Sequence, residues 1–159
     1  MKNSQGIDEY FYTGSLFSLR IRAYPESVQS IDFIMPGKSR TDKLPRNVRA
    51  LFMWLDDYSE RKTDPSYRII FTRNSGTVHG LGASEKVIVL DASDCTENEL
   101  KVYMELVKVP AGETVSYAML AEKSGITRGA RFAGNVMAKN RFPVIVPCHR
   151  VIKSDGSMG

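Results

Sequence analysis

The chain has 159 residues and a formal net charge of +4, with 42% hydrophobic and 25% charged residues. That composition is typical of a globular protein, and no apolar run approaches the roughly 20 residues of a membrane span. The N-terminus lacks the apolar core of a secretory leader, and two cysteines do not suggest a disulfide framework. We therefore expect a cytoplasmic protein, nuclear if the source is eukaryotic, with no membrane partner. The positive charge mildly favours a nucleic-acid partner.

A metal site is not indicated by the four residues that could supply soft or imidazole ligands. Cys95, Cys148, His79 and His149 have none of the short spacings that zinc-binding units use. We therefore predict neither a metal nor another cofactor.

The N-terminal part, residues 1–92, is predicted to be a small α/β scaffold without chemistry of its own. Alternating apolar and polar residues indicate paired strands over residues 10–34, with a turn at Pro25. Residues 44–58 place Val48, Leu51, Phe52 and Leu55 at helical spacing, and Pro45 is positioned to open this helix. Further strands are predicted at 67–73 and 86–92, joined by a glycine-rich loop over 74–85.

The C-terminal part, residues 93–159, has a helical pattern. Residues 95–109 place four apolar residues on one face, and Thr96 with Glu99 has the spacing of a capping box. The sequence "PAGE" should end this helix. The four apolar residues are Leu100, Tyr103, Leu106 and Val107.

Two short helices are predicted next, joined by a turn at Gly125. Ser116 can cap the first helix, with Leu120 and Ala121 facing inward, and Thr127 can cap the second, which should run to about Met137. This arrangement has the shape of a helix-turn-helix. Any pair of adjacent helices gives the same pattern, so a plain helical pair remains an alternative.

The second of these helices combines two arginines, Arg128 and Arg131, with several small residues. Small side chains let a helix backbone approach a phosphate backbone closely, and arginine adds charge and planar stacking. The alternative is a surface helix weakened by glycine with ordinary solvated arginines. The small residues are Gly129, Ala130, Ala133 and Gly134.

The stretch "VIVPCHRV" places a cysteine between a proline and a histidine. We predict a buried strand over residues 144–146 that Pro147 terminates, because proline fixes φ and removes a hydrogen-bond donor. Cys148 would then lie at the mouth of a core, with His149 and Arg150 available to favour a thiolate. On an extended backbone Cys148 and His149 point to opposite faces, so contact needs a turn or a water. The alternative is a structural cysteine beside a surface histidine.

The motifs taken together resemble those of O6-alkylguanine-DNA alkyltransferases, over residues 109–159. "PCHRV" after "NRFPVIV" is similar to the active-site signature of that family. "VPAGETVSYAMLA" resembles the first helix of its helix-turn-helix, and "RGARFAG" and "NVMAKN" resemble its recognition helix and asparagine hinge.

This resemblance implies a role for each matching residue. Cys148 takes the alkyl group from guanine O6, His149 acts through water as the base, and Tyr117 protonates the leaving guanine. Arg131 fills the space of the extruded base, and Asn140 ties the recognition elements to the active-site strand. The resemblance further implies DNA contacts at Arg128, Ser116, Ala130 and Gly134, and a substrate pocket at Met137, Asn140, Val151 and Pro147.

Some features depart from the family pattern. Arg141 stands where proline usually follows the hinge asparagine. The sequence stops within "SDGSMG", so we expect the family's pocket-closing loop and the glutamate that orients the histidine to be missing. The N-terminal half matches weakly, chiefly at "LFMWLDDYSERK", and the stretch from 72 to 93 looks long.

We therefore expect an α/β (α+β) fold, with a sheet-plus-helix lobe followed by a mainly helical lobe. The expected function is repair of double-stranded DNA by irreversible transfer of an O6-alkyl group to the protein's own cysteine, acting as a monomer. A lesion-binding alkyltransferase-like protein, a helix-turn-helix regulator and a cysteine hydrolase are the alternatives. The first lacks the family cysteine, and the last needs an acidic or second histidine partner that has no recognisable place here.

Overall fold

The computed structural model describes residues 6–60, 67–73 and 86–158. The chain divides into two compact units, Met1–Asp94 and Cys95–Gly159. The predicted α/β (α+β) fold is confirmed, because the first unit contains a five-stranded sheet with a helix and the second is mainly helical. Neither the predicted loop over 74–85 nor His79 lies within the described residues.

The sheet of the first unit has the order β1-β2-β3-β5-β4. Strands β1, β2 and β3 are antiparallel, whereas β5 pairs in parallel with both β3 and β4. Residues 10–34, predicted as paired strands, hold most of three strands rather than two. The extra strand arises because the chain turns after β1, where the Gly14 N–H donates to the Phe17 carbonyl at 3.1 Å. The strands are β1 (Asp8–Thr13), β2 (Ser18–Ala23), β3 (Val28–Ile34), β4 (Arg68–Thr72) and β5 (Val87–Asp91).

Helix α1 (Arg46–Ser59) packs on this sheet. Pro45 is the residue immediately before it, and the four apolar residues predicted at helical spacing are all buried. A buried amide adds a polar link, since the Asn47 side chain accepts a 2.9 Å hydrogen bond from the Val89 backbone of β5. Each large apolar side chain buried here stabilises the unit by about 1.5–3 kcal/mol.

The second unit begins with α2 (Glu97–Leu106), whose capping box is confirmed. The Thr96 N–H donates to Glu99 at 2.8 Å, and the Glu99 N–H donates to the Thr96 hydroxyl at 3.3 Å. Tyr103 and Leu106 of the predicted apolar face are buried, together with Val102. The elements that follow are β6 (Val115–Ser116), α3 (Tyr117–Lys123), α4 (Ala130–Ala138), a 3₁₀ turn (Cys148–Arg150) and β7 (Val151–Ile152).

Two wider features bear on function. Within the described ranges, no helix has both the length and the apolar character needed to cross a bilayer. The same ranges hold no cluster of three or more histidine, cysteine or acidic side chains that could bind a metal ion.

Candidate active site

Helix α3 begins as predicted, with Ser116 as its cap. The Ser116 hydroxyl accepts a 3.1 Å hydrogen bond from the Met119 N–H, which satisfies a donor that the first helical turn leaves open. Leu120 and Ala121 are fully buried and form the inward face. Ser116 also ends the short strand β6, so a single residue joins the strand to the helix.

Helix α3 ends at Lys123, and Gly125 directly after its cap stops it, as predicted. Gly125 has φ +74°, a left-handed conformation that favours glycine. Its N–H donates to the Glu122 carbonyl, and the Ile126 N–H donates to the Ala121 carbonyl, both at 2.9 Å. This pair of bonds is a Schellman motif, which satisfies the last carbonyls of the helix and redirects the chain toward α4.

Helix α4 begins at Ala130, so the prediction that Thr127 caps it is wrong. Thr127 and Arg128 lie in the turn before the helix, and Gly129 is the residue at its N-terminus. Arg128 has φ +53°, and a helix cannot continue through a left-handed residue. Arg128 therefore stands outside the helix on which it was predicted.

The packing of α4 on α3 requires Gly129. An added Cβ would lie 2.5 Å from Ile126 Cγ2 and 3.1 Å from the Ala121 Cβ. Ala133 is fully buried as well. Close packing in this unit thus accounts for both small residues, whereas their role in phosphate approach stays a prediction.

The remaining predicted DNA-binding residues are more accessible. Arg131, the second residue of α4, and Arg128 are both exposed, and Ala130 is half-buried. Gly134 lies beside the Tyr117 ring, and an added Cβ would be 3.9 Å from two of its carbon atoms. Packing therefore leaves room for a larger residue at Gly134, and its DNA contact stays a prediction.

Residues 144–146 are buried, but the prediction that they form a strand is wrong. They lie in a turn in which Val144 has φ +75°, and the Val146 N–H donates to the Phe142 carbonyl at 2.8 Å. A three-residue apolar run has no measurable periodicity, so its composition indicates burial without determining backbone conformation.

The Asn140 side chain closes this turn. Its amide nitrogen donates to the Val146 carbonyl at 2.8 Å, and its amide oxygen accepts from the Phe142 N–H at 2.9 Å. Asn140 lies two residues after the end of α4, so the link runs from just beyond that helix to the residue before Pro147.

Cys148 begins a single 3₁₀ turn rather than continuing an extended segment. The Cys148 N–H donates to the Val146 carbonyl at 2.8 Å, and the Arg150 N–H donates to the Pro147 carbonyl at 2.9 Å. The thiol is half-buried and forms no disulfide. The turn that contact between Cys148 and His149 would require is therefore present.

His149 is exposed, but its pKa is lowered from the ordinary 6.5 by partial desolvation and then by the neighbouring positive charge of Arg150. A lowered pKa keeps the imidazole neutral at pH 7, and a neutral imidazole can accept a proton. Arg150 is buried and donates to the Val109 carbonyl at 2.5 Å. The sequence does not predict this hydrogen bond between Arg150 and Val109, because a single arginine after the histidine has no periodic or spacing signal.

Strands β6 and β7 bring two distant parts of the sequence together. They pair in parallel, with Val115 opposite Val151 and Ser116 opposite Ile152. Tyr117 follows β6 directly, and Cys148 precedes β7 by three residues. Both therefore lie beside the same two-residue ladder. Three predicted pocket residues, Met137, Pro147 and Val151, are buried in this unit.

A family comparison agrees with this geometry. Residues 97–159 match the family described as 6-O-methylguanine DNA methyltransferase, DNA binding domain. A methylated-DNA--protein-cysteine methyltransferase of Methanothermobacter thermautotrophicus is 39% identical over 71 residues, which are 45% of this chain and 39% of that protein. The Mus musculus protein of the same name is 47% identical over 60 residues, or 37% of this chain and 28% of that protein. The matched segment thus spans well under half the length of these relatives.

The fold comparison extends further along the chain. The crystal structure of Mycobacterium tuberculosis OGT in complex with DNA has a TM-score of 0.63 and 20% identity. The match covers 95% of this chain and 82% of that one. The similarity in fold therefore includes the first unit, where the sequence resemblance is weak.

Proposed function

We propose that this chain, which carries the O6-methylguanine methyltransferase DNA-binding domain in residues 97–159, repairs alkylated guanine in DNA. It moves the alkyl group from guanine O6 to Cys148 in one irreversible turnover and acts as a monomer on one lesion. The observation that carries the proposal is the half-buried Cys148 on a 3₁₀ turn, in the same unit as an α3–α4 helix-turn-helix.

The reaction is a single displacement. The Cys148 thiolate attacks the alkyl carbon as the bond from that carbon to O6 breaks, and a thioether forms. The electron pair of the broken bond leaves with guanine, which takes up one proton. No group that could release the thioether is part of the scheme, so each molecule reacts once.

Two side chains move protons in this scheme. His149, whose pKa is lowered so that it is neutral at pH 7, accepts the thiol proton through a bridging water. Tyr117 donates to the leaving guanine from its position at the start of α3. The Tyr117 ring lies beside Gly134 of α4, so the proposed proton donor rests against the helix proposed to read the DNA.

The alkylated guanine must leave the base stack of the DNA before it can react. An alkyl carbon on a stacked base cannot be reached in line, so the nucleotide is extruded at a cost of a few kcal/mol. Arg131, exposed near the start of α4, offsets this cost by occupying the vacated space. Arg128, Ser116, Ala130 and Gly134 provide DNA contacts, and Met137, Asn140, Pro147 and Val151 line or support the pocket.

The decisive experiment is an intact mass measurement after incubation with duplex DNA containing O6-methylguanine. One added CH₂, located on Cys148 by peptide mapping, supports the proposal. Cys148→Ala should take up none while still binding DNA, and the matched control Cys95→Ala should be methylated to completion. DNA binding without any mass gain in the unchanged protein would support a non-catalytic lesion-binding protein instead.

A further inference from the structure

We propose that Arg141 is a positioning residue, which fastens the Cys148-bearing turn to the start of α2 and so aligns the thiol for transfer. This inference rests on the proposed function. It concerns a residue that stands directly after the asparagine at the hinge and that the reaction scheme above does not use. We call the group of contacts that fastens the turn to α2 the anchor. Its residues are Cys95, Tyr103, Arg141 and Phe142.

Contacts of the Arg141 side chain with Cys95 and Phe142 support this role. Its Nη2 lies 3.9 Å from the Cys95 Sγ, just before the Thr96 cap of α2. Its guanidinium also lies over the Phe142 ring, 5.6 Å from the centroid. Phe142 is fully buried and packs edge-on against Tyr103 of α2 at 6.2 Å. The Arg141 side chain thus covers Phe142 of the turn and reaches Cys95, two residues before α2.

The Arg141 backbone also contributes to this link. Its N–H hydrogen-bonds to the Tyr103 hydroxyl. Burial is the main reason that the pKa of Tyr103 is raised to about 12, so this hydroxyl stays neutral and can accept the bond. A proline at this position would have no N–H to donate.

Charge supports the same anchor. The pKa of Glu99 is lowered chiefly by its hydrogen bonds to Thr96, and also by the positive charges of Lys139 and Arg141. The carboxylate that caps α2 is therefore attracted toward the residues that begin the turn.

The anchor can affect chemistry because the path to the thiol is short. The Asn140 side chain ties the start of the turn to Val146, and the Cys148 N–H donates to the Val146 carbonyl. Arg141 and Phe142 lie inside this loop. A shift of the turn relative to α2 therefore moves Cys148, and a misplacement of about 1 Å can slow a reaction by about 100-fold.

The test compares Arg141→Ala, Arg141→Lys and the unchanged protein in single-turnover transfer at saturating DNA. Arg141→Ala should lower the rate constant at least about fivefold, within the range that misplacement causes. The DNA dissociation constant and the final methylated fraction should stay near those of the unchanged protein. Arg141→Lys, which keeps the charge and the N–H, should recover part of the rate.

Two further measurements separate positioning from other roles. Arg141→Ala should slow reaction with free O6-benzylguanine as much as reaction with duplex DNA, because the thiol itself is displaced. Tyr103→Phe, which removes the hydroxyl and keeps the ring, should give a smaller loss of the same kind. An unchanged rate constant in Arg141→Ala, a loss confined to duplex DNA, or a fall only in the final methylated fraction would overturn the inference. An unchanged protein that transfers no alkyl group would instead overturn the proposed function.

Discussion

The side-chain amide of Asn140 donates a 2.8 Å hydrogen bond to the carbonyl of Val146, two residues before Cys148. The same amide accepts the Phe142 N–H, so a single side chain closes the turn that leads to the cysteine. Cys148 is therefore positioned by a local side-chain bridge rather than by a strand within a sheet.

Replacing Asn140 should affect both stability and transfer. Asn140→Ala removes both hydrogen bonds and leaves polar backbone groups without these partners, so we expect a loss of about 1–3 kcal/mol in the free energy of unfolding. Urea unfolding measures this loss, and single-turnover kinetics should show slower transfer. Asn140→Asp keeps an acceptor for Phe142 but loses the donor to Val146, so it separates the two bonds. Unchanged stability in Asn140→Ala would contradict this account of the turn.

Gly129, which precedes α4, and Gly134, in the middle of α4, should respond oppositely to alanine. At Gly129 the new Cβ would lie 2.5 Å from Ile126 Cγ2, and overpacking of this kind costs about 1–3 kcal/mol. At Gly134 the new Cβ would be 3.9 Å from the Tyr117 ring, which is ordinary contact. Alanine should there stabilise the helix by about 0.5–1 kcal/mol. Thermal or urea unfolding of the two variants checks the pair, and equal effects would refute the packing argument.

Arg131 should matter for duplex DNA and not for the isolated base. Arg131→Ala should slow repair of duplex DNA by at least about tenfold, because extrusion costs a few kcal/mol and the proposed role of Arg131 is to offset part of that cost. Reaction with free O6-benzylguanine, which needs no extrusion, should change little. Arg128→Ala is the matched control, because it should weaken DNA binding and reduce its salt dependence. Equal losses on both substrates for Arg131→Ala would indicate a role in the fold or pocket.

The lowered pKa of His149 predicts how rate and stability depend on pH. The transfer rate should reach half its maximum below pH 6.5, the ordinary pKa of histidine, because the proposed scheme uses the neutral imidazole as its base. For stability, the unfolded chain binds a proton at higher pH than the folded one. The contribution of His149 is therefore complete above pH 6.5 and is lost as the pH falls through the lower folded value.

His149→Gln provides the matched control, since glutamine stays neutral throughout. It should remove the His149 part of the pH dependence of unfolding and lower the transfer rate at pH 7. NMR titration of the imidazole measures the pKa directly. A value above 6.5 would contradict the predicted direction.

Several elements of this protein could be predicted from the sequence because their causes are local or periodic. The capping box of α2 involves residues three apart, and the Ser116 cap and Gly125 stop depend on single residues of known preference. The buried face of α1 follows from its 3.6-residue spacing. The resemblance of the motif around Cys148 to the alkyltransferase signature could likewise be seen in the sequence, since the motif consists of adjacent residues.

Other features depend on tertiary contacts, which local sequence preferences do not determine. Thr127 is a good capping residue, but α4 begins three residues later because Gly129 must pass close to Ala121 and Ile126. The run at 144–146 is as apolar as a strand, but the amide of Asn140 holds it as a turn. Arg150 reaches Val109, and the Val115–Val151 ladder brings the starts of α3 and β7 together. These contacts join residues up to 41 positions apart, as for Arg150 and Val109. Neighbours in sequence cannot specify such contacts. The energy of each contact depends on which groups are buried and lie close together once the chain has packed.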